Sequence, residues 1–337
     1  MSDASASPDR PARTRRTALL VVSCLVAGAT AAGLWLLIPR SDNGSPDCAG
    51  LMEQQRMRTA LGAAAPEGDD CAELGAAIVR VTKGSEAGRH TPKQARAMKN
   101  VLLAVGTGTG RGDGTVPEGL RRHLGEAMEG YAHDLYEILH GLNPAYVNTA
   151  APAKSPWQDD SGAHFSVPSA TALTAMSAAS GDPAVYTSLR TSLDDEGVQR
   201  FASLPDSATG EAPSAVAASD ARVTGALAGV AAHVAESRGK DSDAWYRDVF
   251  TALLKGNVRT PAAETDLAGH LTGTWKAQLR STAPEDRPGL LRERSGTLFS
   301  RWADLRALPA AEQDSTLLNC RNNARGAYGD AVEELGG

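Results

Sequence analysis

Three groups of residues have types and spacings that could do chemistry. His133, Glu137 and His140 recur at i, i+4 and i+7, so one helix could offer two imidazoles and a carboxylate to a zinc ion. At about 100° per residue, however, they lie roughly opposite the apolar stripe that runs from Leu124 to Leu135. That predicts a solvent face shared with Glu126 and Glu129, and no His-Glu-x-x-His occurs anywhere. Ser237 and Lys240 have the Ser-x-x-Lys spacing in which a lysine activates a serine, but Lys-Thr-Gly is missing and Gly239 signals a helix end. Residues 106–114, GTGTGRGDG, look like a phosphate-binding loop after VLLAV. No helix starts inside the glycine run and no Lys-Ser/Thr closes it, so a plain loop is expected, and the Arg111-Gly112-Asp113 tripeptide within it is too short to carry meaning. His233 and His270 stand without obvious partners, and the doublets Asp69-Asp70, Asp159-Asp160 and Asp194-Asp195 read as caps or loops. No catalytic, cofactor-binding or metal residue is assigned, and no cofactor is expected.

These residues belong to a chain of 337 residues, 42% hydrophobic and 4% aromatic, with much of the hydrophobic share alanine. A core is possible, but a thin one. Residues 17–38 run 22 positions without a charge, about 33 Å of helix, which is enough to cross a bilayer's hydrocarbon layer. Arg10, Arg13, Arg15 and Arg16 precede the stretch and only Arg40 follows it closely. The positive-inside rule then makes 1–16 a cytoplasmic tail, 17–38 a single transmembrane helix and 39–47 a polar linker, with everything beyond extracytoplasmic. Cleavage after a site such as Ala29-Thr30-Ala31, or acylation at Cys24, are the alternatives to retention. Gly28 with Ala32 and Ala29 with Gly33 are spaced for close approach of two such spans, the basis for a homodimer through this helix.

Beyond residue 40 the net charge is −9, against −6 for the whole chain, which disfavours nucleic acid as a partner. The stretch 276–306 is an exception, with seven basic and four acidic residues, and reads as a solvated face. Cys48, Cys71 and Cys320 would lie in an oxidising compartment; Cys48–Cys71 is the preferred pair, with Cys71–Cys320 next.

The pattern from residue 48 onward is helical nearly everywhere, giving an all-α fold: one transmembrane helix followed by a helical bundle. Helices are expected over 48–61, from 71, over 92–106 and, most clearly, over 117–141. Residues 142–166 read as an irregular crossing with Trp157 tucked against the bundle. Helices follow after Ser166, from Asp182-Pro183 and after Asp194, then over 215–237, 242–255, 261–281, 285–306 and 310–335. Residues 204–214 separate a subdomain at 48–205 from one at 212–337, or else lie within one continuous bundle.

GYAHDLYEIL (130–139), GAHFS (162–166) and DPAVYTSL (182–189), within about 124–190, resemble helical regions of actinobacterial secreted proteins linked to type VII secretion and interbacterial conflict. The resemblance implies a helical module in an envelope or conflict setting and carries no functional residue with it. Composition, with 27 Arg against seven Lys, fits a bacterial chain of high-GC coding. The expected function is a single-pass, membrane-anchored, extracytoplasmic protein-binding module whose partners are the lipid bilayer and a protein of the cell envelope, for instance as receptor or accessory subunit of a secretion or injection assembly. The rival readings are a tethered hydrolase acting on cell wall or peptides, and a membrane-acting factor in regulated cell death.

Overall fold

The computed structural model describes residues 48–84, 88–108, 116–147, 155–256 and 259–336. These are helical apart from loops and one short hairpin, as an all-α chain requires. The 17–38 stretch lies outside the described residues. Among those described, no helix is long and apolar enough to cross a membrane.

The first helix expected is two, α1 (Ala49–Glu53) and α2 (Gln55–Leu61), because Gln54 between them is extended (φ −69°, ψ 128°). Asp70 caps α3 (Cys71–Thr82), accepting the Ala72 N–H at 2.7 Å, and Cys71 in its first turn is disulfide-bonded to Cys48, as preferred from the sequence. A capping box starts α4 (Pro92–Gly108): Gln94 Oε1 accepts the Thr91 N–H while the Gln94 N–H donates to Thr91 Oγ1. The helix continues past Gly106 to Gly108, and the remainder of the glycine run, 109–114, lies outside the described residues.

The long helix expected over 117–141 is broken into α5 (Glu118–Glu129) and α6 (Ala132–His140). Tertiary bonds hold the break. His90 Nε2 lies 2.7 Å from the Gly130 carbonyl, its ring stacks on Tyr131 at 3.7 Å, and the Tyr131 hydroxyl donates to the Thr82 carbonyl at 2.9 Å. Downstream, the stretch read as irregular contains strands β1 (Trp157–Asp159) and β2 (Gly162–His164), antiparallel, with Trp157 opposite His164.

Then come α7 (Ser169–Ala179), α8 (Pro183–Ala202), α9 (Glu211–Ser237), α10 (Ser242–Leu253), α11 (Leu267–Ser281), α12 (Arg287–Leu305) and α13 (Ala310–Gly336). Asp182 caps α8 as expected, but no new helix starts after Asp194, which sits inside α8 and is buried. The central rod is α9. Both its glycines and most of its alanines between Ala217 and Ala235 are buried, and α13, α12, α8 and α10 pack around it. Small residues set the spacing: a Cβ at Gly225 would sit 2.2 Å from the Ala324 carbonyl oxygen, so α9 and α13 are in backbone contact there.

Four buried charges tie α8, α9 and α12 together. The Arg294 guanidinium reaches the Asp194 carboxylate at 3.2 Å, the Asp194 carbonyl at 2.7 Å and Asp220 at 3.2 Å, while Arg190 lies 3.3 Å from Asp194. Two cations thus face two anions with solvent excluded, the condition under which buried charges are tolerated.

Candidate functional site

A cleft of about 520 Å³ opens where α6, α8, the hairpin and the segment before α4 meet. Each element brings polar groups to it. The hairpin turn is shaped by Asp159, whose Oδ1 accepts the Ser161 N–H at 2.8 Å and the Ser161 hydroxyl at 2.6 Å; the Ala163 N–H then donates to the His90 carbonyl, fixing the hairpin beside α4.

His164, at the end of β2, is the hub. Its Nδ1 lies 2.7 Å from Asp134 of α6, and its Nε2 lies 3.0 Å from both Asp159 and the Ser161 hydroxyl. Tyr146 donates to Asp134 at 2.7 Å and packs edge-on against Trp157. By distance alone, Ser161, His164 and Asp134 form a nucleophile–base–orienter set. Bonding and protonation both oppose that role, since the Ser161 hydroxyl is already turned to Asp159. The bond to Asp134, reinforced by Asp159 against the opposing effect of burial, pushes the His164 imidazole up to about 9. At neutral pH both ring nitrogens therefore carry protons and donate to carboxylates, and the Ser161 hydroxyl donates to Asp159. With no lone pair to take the Ser161 proton, His164 is a cationic staple rather than a general base.

His133 is differently placed. Its Nδ1 lies 3.3 Å from Glu196 of α8, its side chain is 48% exposed to the cleft, and Nε2 makes no hydrogen bond among the described residues. The Glu196 bond raises its pKa, against burial. This dyad, with Ser192 one turn before Glu196 on the same wall, is the part of the cleft able to engage a ligand or exchange a proton.

The zinc-type trio is not assembled, and the solvent face expected for it is corrected. Glu137 and His140 are buried, because α6 is enclosed by α8 and α9 on one side and by residues 141–147 on the other. Glu137 accepts from Asn143 at 2.7 Å, from His140 and from Arg200; these bonds overcome burial and hold its carboxyl down at about 2. Both His140 nitrogens are engaged, Nδ1 by the Leu142 N–H at 3.0 Å. Among the described residues no group of three or more His, Cys, Asp or Glu is placed to hold a metal.

The other sequence candidates disperse. The Ser237 hydroxyl bonds back to the Val234 carbonyl at the end of α9, and no bond joins it to Lys240 among the described residues. His270 does have partners, the Pro261 carbonyl at 2.8 Å and the Arg301 Nε at 3.3 Å. The hub was missed because Asp134, Tyr146, Asp159 and His164 are separated by loops; the available signal was Asp159-x-Ser161, an Asx-type turn one residue before the apolar GAHF run. No protein-family model, curated protein or solved structure matches this chain.

Proposed function

We propose that the chain is a membrane-anchored binding protein whose helical domain stands on the extracytoplasmic side and engages a protein of the cell envelope, with the 17–38 stretch as anchor and dimerisation element. The observation that carries this reading is the Cys48–Cys71 disulfide, which closes directly after the 39–47 linker, since such bonds persist in oxidising compartments. The uncharged 22-residue stretch and the arginines before it supply anchor and orientation. The locked His164 favours recognition over hydrolysis, and the exposed large apolar side chains Leu142 and Val147 flank the Tyr146 loop where a partner could rest.

The test is protease treatment of intact, wall-stripped cells carrying a C-terminal tag, with crosslinking from the tagged domain in parallel. Loss of the tag together with capture of one envelope protein is the expected result; a protected tag, or protein free in the medium, overturns the reading.

The hydrolase reading keeps one specific support, the His133–Glu196 dyad on an open cleft. It requires turnover of wall fragments or peptides by the purified chain that His133→Ala abolishes.

A further inference from the structure

The stretch 276–306 reads as a solvated basic face, but the fold gives it a second wall. A groove of about 530 Å³ runs between α12 and α13, and four guanidinium groups line it: Arg292 and Arg301 from α12, Arg321 and Arg325 from α13. Sequence alone leaves the last two outside the basic stretch. Among the described residues none of the four is within ion-pairing distance of a carboxylate; Arg292 lies over the Tyr328 ring at 5.0 Å and Arg301 donates to His270. Arg321 and Arg325 are also spaced i, i+4 on one helix, a like-charge arrangement that disfavours the helix slightly. In a chain of net charge −6, four arginines against the two carboxylates of Glu293 and Asp304 leave this groove locally positive, which favours an anionic ligand.

A second feature points the same way. Some helical serines and threonines use their hydroxyls internally, bonding back to the carbonyl four residues earlier, as Thr174, Thr187, Ser219 and Thr251 do. The groove's half-buried Thr274, Thr297 and Ser300 hydroxyls make no hydrogen bond among the described residues. The floor is open as well: a Cβ at Gly296 would meet nothing nearer than Leu317 at 3.8 Å.

From this geometry we infer that the α12–α13 groove is a binding site for a phosphate ester. One carboxylate offers two oxygens and would leave most of these donors idle. A phosphate ester presents several oxygens in directions that arginine forks match, and its alcohol portion can meet the hydroxyls and the Glu293 and Asp304 carboxylates that also line the groove. A free phosphoester and a phospholipid headgroup share this chemistry.

The test measures binding to the full-length chain in zwitterionic detergent, by calorimetry, with sn-glycerol 3-phosphate and, separately, short-chain phosphatidylglycerol against short-chain phosphatidylcholine. Saturable binding of glycerol phosphate that weakens as salt rises, falls at least about tenfold in Arg321→Gln/Arg325→Gln and is unchanged in Arg247→Gln supports the site with a soluble ligand. The same dependence with phosphatidylglycerol alone supports it with a headgroup. Arg321 and Arg325 are exposed and carry no ion pair, so the double variant keeps its unfolding midpoint; Gly296→Leu, which fills the floor without altering charge, weakens binding too. No saturable binding of any probe, or binding indifferent to the arginine pair, overturns the inference.

Discussion

The Nδ1 of His164 stands 2.7 Å from Oδ1 of Asp134, a carboxylate only 2% exposed, so the hairpin supplies the positive charge that lets α6 keep an aspartate inside. Replacing His164 by Gln removes that charge and leaves Asp134 buried with the Tyr146 hydroxyl as its remaining close partner. A loss of about 3 kcal/mol at pH 6 is expected, within the range for breaking a buried pair from one side. The pH dependence follows from the raised pKa. His164 binds its proton more tightly folded than unfolded, so its contribution is complete below about 6.5 and is lost as pH rises through about 9. Urea unfolding at pH 6 and pH 9.5 should show the gap between wild type and His164→Gln narrowing at the higher pH; a constant gap would mean that His164 is neutral in the fold.

Glu137 acts at the other end of the scale. Its carboxyl is held at about 2 against an ordinary 4.5, so its stabilisation is present above about 4.5 and disappears as pH falls through 2. Glu137→Gln should therefore lose stability at pH 6 and much less of it at pH 2, measured by urea unfolding at both values. Equal losses at the two would assign the effect to packing.

Arg294 offers a sharper contrast. Removing it alone, as Arg294→Leu, strands the Asp220 carboxylate at 1% exposure, where burial already raises its pKa, and should cost about 3–5 kcal/mol. Adding Asp220→Leu removes the stranded charge, and most of the loss should return. The double-mutant cycle reads the coupling directly, and a single-variant loss under about 1 kcal/mol would show that water reaches these groups.

The contrast between the four-charge cluster and the caps shows which parts of this fold are legible in the sequence. Asp70, Thr91-Pro92 and Asp182-Pro183 mark helix starts because a cap is a local bond, complete within three residues. The break at Gly130–Tyr131 carries no proline and no cap; it exists because His90 and Thr82, distant in sequence, take up the polar groups there. Asp194 misleads for the same reason. An aspartate doublet ordinarily marks a helix start, but here Arg190 one turn earlier and Arg294 a hundred residues later make the helix interior habitable. The cleft hub is likewise assembled from three elements, and the periodicity of any one of them is silent about it.

The cysteines should differ in reactivity. Cys48–Cys71 closes a loop with a sequence separation of 23, for which chain-entropy reasoning gives about 3 kcal/mol, so reduction should lower stability by roughly that amount. Cys320 is free but buried, and burial first, with Asp220 adding to it, pushes its thiol up to about 12. Peptide mapping after iodoacetamide treatment should find Cys320 unmodified in the native chain and fully alkylated in urea. Rapid native labelling at Cys320 would place that thiol in an open site.

Two glycines separate packing from conformational entropy. Gly225→Ala drives a methyl carbon to 2.2 Å from the Ala324 carbonyl oxygen, and because the obstacle is backbone, α9 and α13 must part. Overpacking of this kind costs about 1–3 kcal/mol, more where the seam is long, as it is here. Gly296→Ala meets only Leu317 at 3.8 Å and removes a flexible residue from the interior of α12, so it should stabilise by about 0.5–1 kcal/mol. Both substitutions add one methyl group to a helix, and intrinsic helix propensity favours both equally. Opposite signs in thermal unfolding would therefore locate the close contact at Gly225, whereas two stabilised variants would mean that α9 and α13 lie farther apart than described.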